Sequence, residues 1–197
     1  PAAGGAGATQ STYDANGNMI LKMEGGNTWQ YLYDVENRLV QVTKNGSVVG
    51  EYKYDGDGGR TLKRSAVQGQ PSVLQTTEFV GNLYETNSYS GQMQNPVGNY
   101  KYIFLGGTRV ASINGNNILY YHGDHLGGAN ILTDSGGVVK ELIEYDPFGA
   151  ESRHERYGNT SQVAWYYFTG QRKDDETGLL FYNARYYDSA LGRFITP

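Results

Sequence analysis

The sequence predicts an all-β chain of antiparallel hairpins, and three observations carry that expectation. Glycine fills 28 of 197 positions and tyrosine fills 18, against six phenylalanines and two tryptophans. Tyrosine suits a half-buried pleated strand, and glycine supplies the turns between strands. Tyr-Asp pairs recur at Tyr13, Tyr33 and Tyr54, spaced by 20 and then 21 residues. A period of that length marks an array of like units. No segment sustains helical periodicity, and "TSQVAWYYFTG" suggests one short helical turn at most.

The repeating unit reads as strand, turn, strand. "WQYLYD" alternates, which places Trp29, Tyr31 and Tyr33 on one face and Gln30 and Leu32 on the other. In the following "NRLVQV", Leu39 and Val40 are adjacent and apolar, so alternation alone does not assign their facing. Each pair (Tyr13-Asp14, Tyr33-Asp34, Tyr54-Asp55) opens a turn rich in Gly, Asn, Asp or Glu. The aspartate is expected to accept backbone N–H bonds there, and each tyrosine to stack on that of the neighbouring repeat. Asn16-Gly17, Asn45-Gly46 and Asn114-Gly115 each read as a two-residue hairpin turn, because both residues tolerate positive φ. After about residue 65 the pattern weakens. "SAVQGQPS" and "SGQMQNPVGN" read as longer loops, and strands resume at "TEFVGNLYET", "YKYIFLGGTRVASI" and "NNILYYHGDHLGGANILTDSGGVVKELIEYDPFG".

Composition excludes several classes of function. The net charge is −4 and no run of Lys or Arg appears, which argues against a surface that tracks nucleic-acid phosphates. The absence of cysteine removes disulfides, thiolate zinc sites and cysteine nucleophiles. No apolar run approaches the ~18 residues that span a membrane. The start, "PAAGGAGATQ", lacks the regions of a signal peptide and reads as a linker over residues 1–10, the edge of something longer.

Candidate chemistry is sparse. In "HGDH", His122 and Asp124 share a strand face and His125 points away. That offers two metal ligands where zinc takes three or four. "DANGN" from Asp14 and "DGDGG" from Asp55 echo a calcium loop, but position 12 is Gly25 or Ala66 where glutamate is required. The last segment, "RKDDETGLLFYNARYYDSALGRFITP", holds Asp174, Asp175, Glu176 and Asp188. Paired carboxylates with split pKa values form acid–base couples. "DDETG", however, has the composition of a turn whose carboxylates sit in water, and Asp188 ends another Tyr-Asp pair with a turn-bonding role. Arg185 and Arg193 are the candidate partners of these acids, at ~0–1 kcal/mol for an exposed pair. No serine sits in a G-x-S-x-G elbow, and no Lys-Ser or Lys-Thr follows "GGAGA". No catalytic residue, metal or cofactor is expected.

The ordered motifs resemble a known family. The Tyr-Asp repeats are similar to the YD repeats of rearrangement hotspot (Rhs) proteins, whose relatives include the C component of insecticidal toxin complexes and the teneurins. "YYHGDHLGGANILTDSGGVV", "EYDPFGA" and "FTGQRKDDETGLLFYNARYYDSALGRFITP" resemble the Rhs-associated core. The resemblance marks as structural signature Tyr13, Asp14, Tyr33, Asp34, Tyr54, Asp55, His122, Asp124, His125, Gly127, Asp146, Pro147, Gly149, Gly170, Gly178, Arg185, Tyr186, Tyr187, Asp188, Gly192, Arg193 and Phe194. Two positions depart from the pattern: Ser189 stands where relatives often have proline, and Gly123 where they often have a small hydroxyl residue.

By resemblance, residues 11–117 are YD-type hairpin repeats of a spiralling β-shell, and residues 118–197 are the core segment that plugs its end. The implied function is encapsulation of a C-terminal toxic cargo by a secreted or surface-bound bacterial protein. The partners are the rest of the shell and the cargo, with no nucleic acid and no membrane span. Open strand edges imply self-association. In toxin members an aspartyl autoprotease just beyond the GRF segment frees the cargo, and this chain ends at Pro197, where that region would begin. The resemblance implies that Asp146-Pro147-Phe148-Gly149 is a structural turn. The alternative reading is an adhesion or carbohydrate-binding module, since aromatic strand faces stack on sugar rings.

Overall fold

A computed structural model of the chain describes residues 9–67, 70–90, 98–158, 164–183 and 185–197. Among them no α-helix occurs, as the all-β reading expects. Fourteen strands follow in chain order: β1 (Gln10–Tyr13), β2 (Met19–Glu24), β3 (Asn27–Tyr33), β4 (Leu39–Lys44), β5 (Ser47–Tyr54), β6 (Arg60–Val67), β7 (Gln70–Val80), β8 (Tyr84–Tyr89), β9 (Gly98–Leu105), β10 (Thr108–Asn114), β11 (Asn117–Gly123), β12 (Ala129–Thr133), β13 (Val139–Tyr145) and β14 (Glu151–Arg156). Each pairs antiparallel with the next to form one continuous sheet. A 3-10 turn over Phe168–Gly170 lies within the segment that suggested one. A second sheet then pairs β15 (Arg172–Asp174), β16 (Leu179–Tyr182), β17 (Arg185–Asp188) and β18 (Arg193–Phe194) in order.

Two kinds of turn recur between the strands. One is a five-residue loop opened by aspartate. Asp34 Oδ1 accepts the N–H of Glu36 at 3.0 Å and of Arg38 at 2.9 Å. The Asp34 N–H donates to Arg38 O at 3.0 Å, and Asn37 N–H returns to Asp34 O at 3.1 Å. The same four bonds form at Asp14, Asp55, Asp124 and Asp134. Asp146 makes the two backbone bonds. The third residue after each aspartate has positive φ, at Gly17 (86°), Asn37 (59°), Gly58, Gly127, Gly137 and Gly149, which is why Gly or Asn recurs there. The other kind is the two-residue turn. Gly25-Gly26, Asn45-Gly46 and Gly106-Gly107 have positive φ at both positions, the mirror-image turn that matches strand twist.

The other expected turns differ. Asn16-Gly17 belongs to the Asp14 loop. Asn114 ends β10, and the turn is Gly115-Asn116, one residue later. "SAVQGQPS" is no long loop: Ser65–Val67 continue β6 and β7 begins at Gln70. Of "SGQMQNPVGN", residues 91–97 lie outside those described.

A bulge follows every aspartate loop. Leu32 pairs with Gln41, yet Tyr33 pairs with Leu39, so Val40 is extra. Equivalent shifts occur at Tyr13, Tyr54, Gly123, Thr133 and Tyr145. The extra residue makes the first strand residue and the one three later face the same way. Leu39 and Val42 are therefore both buried, which settles the facing that alternation left open. The 21-residue spacing carries one further bulge, at Val49 opposite the Val42–Thr43 step.

The long sheet curls around the small one. Neighbouring strands lie about 4.8 Å apart, so twelve steps from β2 to β14 would span about 58 Å if flat. Lys22 of β2 reaches Asp188 of β17 at 2.8 Å, and Lys173 of β15 reaches Glu151 of β14 at 2.6 Å. β15 and β17 are two steps apart, about 10 Å. Two ion pairs do not bridge that difference, so the wall must bend. Backbone bonds seal the contact, from Met19 N–H to Ile195 O at 2.8 Å and from Ala129 N–H to Tyr167 O at 3.3 Å. One apolar cluster joins Met19, Tyr31, Leu39, Val42 and Tyr52 to Leu179, Tyr186 and Ile195, and another joins Leu119, Ala129, Leu132 and Ile143 to Ala164, Tyr167 and Leu180.

Gly149 tests this packing. A Cβ there would enter the Phe168 ring, on a backbone with φ of 85°. Gly149→Ala should cost about 2–4 kcal/mol from overpacking and strain together. Gly46→Ala meets open space and should cost only about 1 kcal/mol for its positive φ. Urea denaturation of the two variants measures the difference.

Candidate functional site

The face of the long sheet that meets the small one carries charge where its repeats place hydrocarbon elsewhere. Met19 and Lys22, Leu39 and Val42, and Arg60 and Lys63 hold the first and fourth positions of β2, β4 and β6. All six are buried. The bulge after each aspartate loop turns both positions inward, so Lys22, Arg60 and Lys63 point at the small sheet.

Their partners across the sheets come from the last segment, and Glu85 of β8 joins the cluster through Arg172. Asp174 receives Arg60 Nη1, Lys63 Nζ at 3.1 Å and Arg172 Nη1 at 3.0 Å. Lys63 also meets Glu176 at 2.9 Å. Arg172 grips Glu85 with two bonds, Nε to Oε1 at 3.1 Å and Nη2 to Oε2 at 3.0 Å, the fork geometry suited to a carboxylate. The Tyr166 hydroxyl donates to Glu85 at 2.8 Å and the Tyr52 hydroxyl to Glu176 at 3.2 Å. Three cations thus face three carboxylates. Arg60 also lies 4.2 Å from the Phe181 ring centre and 4.7 Å from that of Phe79, which adds cation–π attraction.

Burial alone would push the Asp174 carboxyl up, but the Arg60, Lys63 and Arg172 charges override it and hold it well below the usual carboxylate range. Burial and then Arg172 act on Glu85 in the same opposed way, with a net lowering. Burial raises the Tyr52 and Tyr186 hydroxyls far above their ordinary value. Asp174 and Glu85 therefore stay ionised, and the tyrosines neutral, across neutral pH. A general acid or base exchanges its proton near the working pH, and these groups are tuned the other way. The cluster is built to hold two sheets together.

A second cluster locks β13 and β14 to the segment before β15. His154 contacts Glu151 through Nδ1 at 2.8 Å and Glu141 through Nε2. Glu141 also accepts the Ala164 N–H at 3.1 Å and Arg156 Nε at 3.1 Å. The two carboxylates outweigh burial and raise the imidazole to about 9.

The residues singled out in the sequence fall into three groups. Asp14, Asp34, Asp55, Asp124 and Asp146 open loops, with Gly127 and Gly149 at positive φ and Pro147 inside the last of them. The tyrosines before these loops do not stack on one another, since no ring pair joins Tyr13, Tyr33 and Tyr54 among the described residues. Their hydroxyls reach back instead. Tyr33 donates to Met19 O at 2.8 Å, and Tyr54 to Leu39 O. His122 is exposed and meets Thr133 Oγ1 at 3.0 Å, and His125 is exposed in the Asp124 loop. No group of three His, Cys, Asp or Glu side chains among the described residues could hold a metal.

The third group is the last segment. "DDETG" does form a turn, with Thr177 and Gly178 N–H bonded to Asp174 O and Gly178 at positive φ. Its carboxylates are not all in water: Asp175 is exposed, but Asp174 is fully buried. Asp188 accepts the Ala190 and Leu191 N–H bonds and also holds Lys22. Among the described residues Arg185 and Arg193 pair with no acid; they lie 4.0 Å from the Phe194 ring centre and 5.3 Å from that of Tyr13, respectively. Phe194 packs edge-on to Tyr182 and Tyr187. Tyr186 is buried, and the Tyr187 hydroxyl donates to Phe148 O at 3.0 Å. Gly170 and Gly192 have positive φ. Sequence reasoning missed Arg60, Lys63, Glu85, Arg172, Glu141 and His154. The signal was available for two of them: aligning the repeats puts Arg60 and Lys63 at the places of Leu39 and Val42.

A curled antiparallel wall latched onto an inner sheet defines a β-shell module. The sequence profile of the teneurin YD-shell matches residues 5–197, and the chain belongs to that family. Among curated relatives, the tRNA3(Ser)-specific nuclease WapA of Bacillus spizizenii is 29% identical over 188 residues, covering 94% of this chain and 8% of the relative. The double-stranded DNA deaminase toxin A of Burkholderia cenocepacia is 29% identical, covering 93% and 14%. Salivary gland surface protein 1 of Aedes aegypti is 33% identical, covering 73% and 4%. The chain therefore spans a small part of each relative's length. Among solved structures, the Photorhabdus luminescens Tc holotoxin pore matches with a TM-score of 0.76 at 20% identity, over 93% of this chain and 9% of that one. The TcdB2–TccC3–Cdc42 complex matches at 0.72 and 19%, over 95% and 12%. These likenesses establish the fold.

Two outcomes test the clusters. Asp174→Asn leaves Arg60, Lys63 and Arg172 short of a buried counter-charge and should cost about 3–5 kcal/mol. The exposed Asp175→Asn should stay within about 0.5 kcal/mol. Guanidinium denaturation compares them. The folded chain favours the His154 imidazolium, so that contribution is full below the ordinary histidine value of 6.5 and is lost as pH climbs through about 9. Melting temperature should fall between pH 7 and pH 10, and His154→Gln should flatten that part of the profile.

Proposed function

We propose that this chain is a stretch of shell wall, with the inward-folded segment that stoppers it, from a protein that encloses a toxic C-terminal cargo. One observation carries the reading: Lys22–Asp188 and Lys173–Glu151 tie the two ends of a fourteen-strand sheet to one small inner sheet. A sheet bent that far has an inside. The inner face is latched by charges tuned for permanence, which supports a mechanical role rather than a catalytic one. The relatives named as a nuclease and a deaminase toxin extend far beyond the stretch this chain matches, in keeping with a carrier whose activity lies in another region.

In this reading residues 11–117 are wall and residues 118–197 complete the wall and fold inward. The Tyr-Asp loops and the signature residues from His122 to Phe194 are structural. The working place of the parent protein is outside the bacterial cell or on its surface. A second reading rests on the 33% identity to a protein named for a surface: an adhesion module whose exposed strand faces bind sugars or a partner.

Intact mass of the parent protein, expressed to its natural C-terminus, separates the two. A cut some tens of residues beyond the position of Pro197, with the released piece still co-purifying, is the expected result. An uncut chain that retains glycans on an array would overturn encapsulation in favour of adhesion. The wall also makes a prediction of its own. β1 and β14 are the outer strands of the long sheet, and unpaired edges recruit further strands. Light scattering of the 197-residue chain should show mass rising with concentration, and a constant monomer mass would contradict open edges.

A further inference from the structure

Where the turns of one rim meet the small sheet, a cavity of about 700 Å³ remains. Its walls come from the Asp55 loop, from Gly81-Asn82, from Gly107-Thr108 and from Leu126-Gly127 of the Asp124 loop, closed below by Tyr166, the 3-10 turn and Phe181. Its size is that of a small-molecule site. Its lining combines aromatic walls (Phe79, Phe104, Tyr166, Phe181) with neutral polar groups (Asn82, Thr108, Gln171, Asn183).

Three arginines reach this cavity, and their charges are not equivalent. Arg60 and Arg172 are neutralised by Asp174 and Glu85. Arg109 is not: among the described residues it pairs with no carboxylate, and its one hydrogen bond runs from Nη1 to Gly170 O at 3.1 Å. Its guanidinium lies 3.3 Å from the centre of the Tyr166 ring, with Tyr102 and Phe104 at 5.1 and 5.0 Å. Stacking fixes the plane of the fork, and Nε is buried with no hydrogen-bond partner among the described residues. The one acid in the lining, Asp55, already accepts the Asp57 and Gly59 N–H groups. The cavity floor is also strained. Thr169 lines it with φ of 52°, a conformation that a β-branched residue rarely adopts and that clusters at ligand sites.

We infer that this cavity is a binding site for a small organic anion, a carboxylate carried on an aromatic body, with Arg109 as the residue that receives the charge. The planar fork takes the two carboxylate oxygens, as guanidinium does wherever bidentate recognition is needed. The rings of Phe79, Phe104 and Phe181 cover the body. The proposed function does not call on this cavity, so the inference stands apart from it.

Isothermal titration of the 197-residue chain with phenylacetate tests it, with phenylacetamide as the neutral isostere and sodium acetate as the anion without a ring. Phenylacetate is expected to bind at least tenfold more tightly than either. Arg109→Gln should lower that affinity at least tenfold, and Arg109→Lys should recover it only in part. Equal binding of phenylacetate and phenylacetamide by the unaltered chain would overturn the inference, whatever the variants do. Binding of phenylacetate unchanged in a folded Arg109→Gln chain, or no heat with phenylacetate at all, would overturn it as well.

Discussion

The structure depends on a bend. A hydrogen-bonded sheet of fourteen strands has no reason of its own to close, and its two ends would lie far apart if it lay flat. What draws it round is the small sheet of the last residues, which offers one compact surface to strands from both ends. The apolar clusters supply the bulk of that attraction, since hydrocarbon burial is the main favourable term in folding. The charged contacts decide where each strand must sit. A leucine packs against a neighbour in several registers, but Asp174 satisfies Arg60, Lys63 and Arg172 together in one. Polar groups buried away from water tolerate no slippage, so the ionic cluster sets the register between sheets whose hydrophobic surfaces leave it loose.

The same arithmetic separates latch from catalyst. The three carboxylates and three cations cancel, the tyrosines that line the cluster stay protonated, and Asp174 is held in its charged form. Asp174, Tyr52 and Tyr186 are each held away from giving or taking a proton near neutral pH. A site with these residue types resembles an active site in its composition and departs from one in its electrostatics. The cavity beside Arg109 differs: there a cation pairs with no carboxylate among the described residues, and Thr169 of the floor has positive φ.

Much of the architecture was legible in the sequence, and the losses have physical causes. The Tyr-Asp pairs announced the first loops, because an aspartate opening a turn rich in Gly and Asn accepts the backbone N–H bonds there, as Asp14, Asp34 and Asp55 do. The ordered motifs from Tyr13 to Phe194 announced the family. The facing of Leu39 and Val40 was not legible, since a bulge breaks the two-residue alternation on which facing rests. The buried acids were misjudged for a related reason: "DDETG" has a surface composition, and nothing local shows that Arg60, more than a hundred residues earlier, awaits Asp174. The tyrosines were misread as a stack: the Tyr33 and Tyr54 hydroxyls bond instead to carbonyls of the neighbouring strands.

The bulges have one more consequence, for how such a wall changes over generations. In a plain strand, one inserted residue exchanges inside for outside along everything that follows. Here the 20-residue repeat from Met19 to Leu39 and the 21-residue repeat from Leu39 to Arg60 both return the chain to the same inner face, and the surplus residue is absorbed at Val49. The wall therefore carries its own slack. A wall of this kind admits a one-residue insertion at such a bulge without exchanging its two faces.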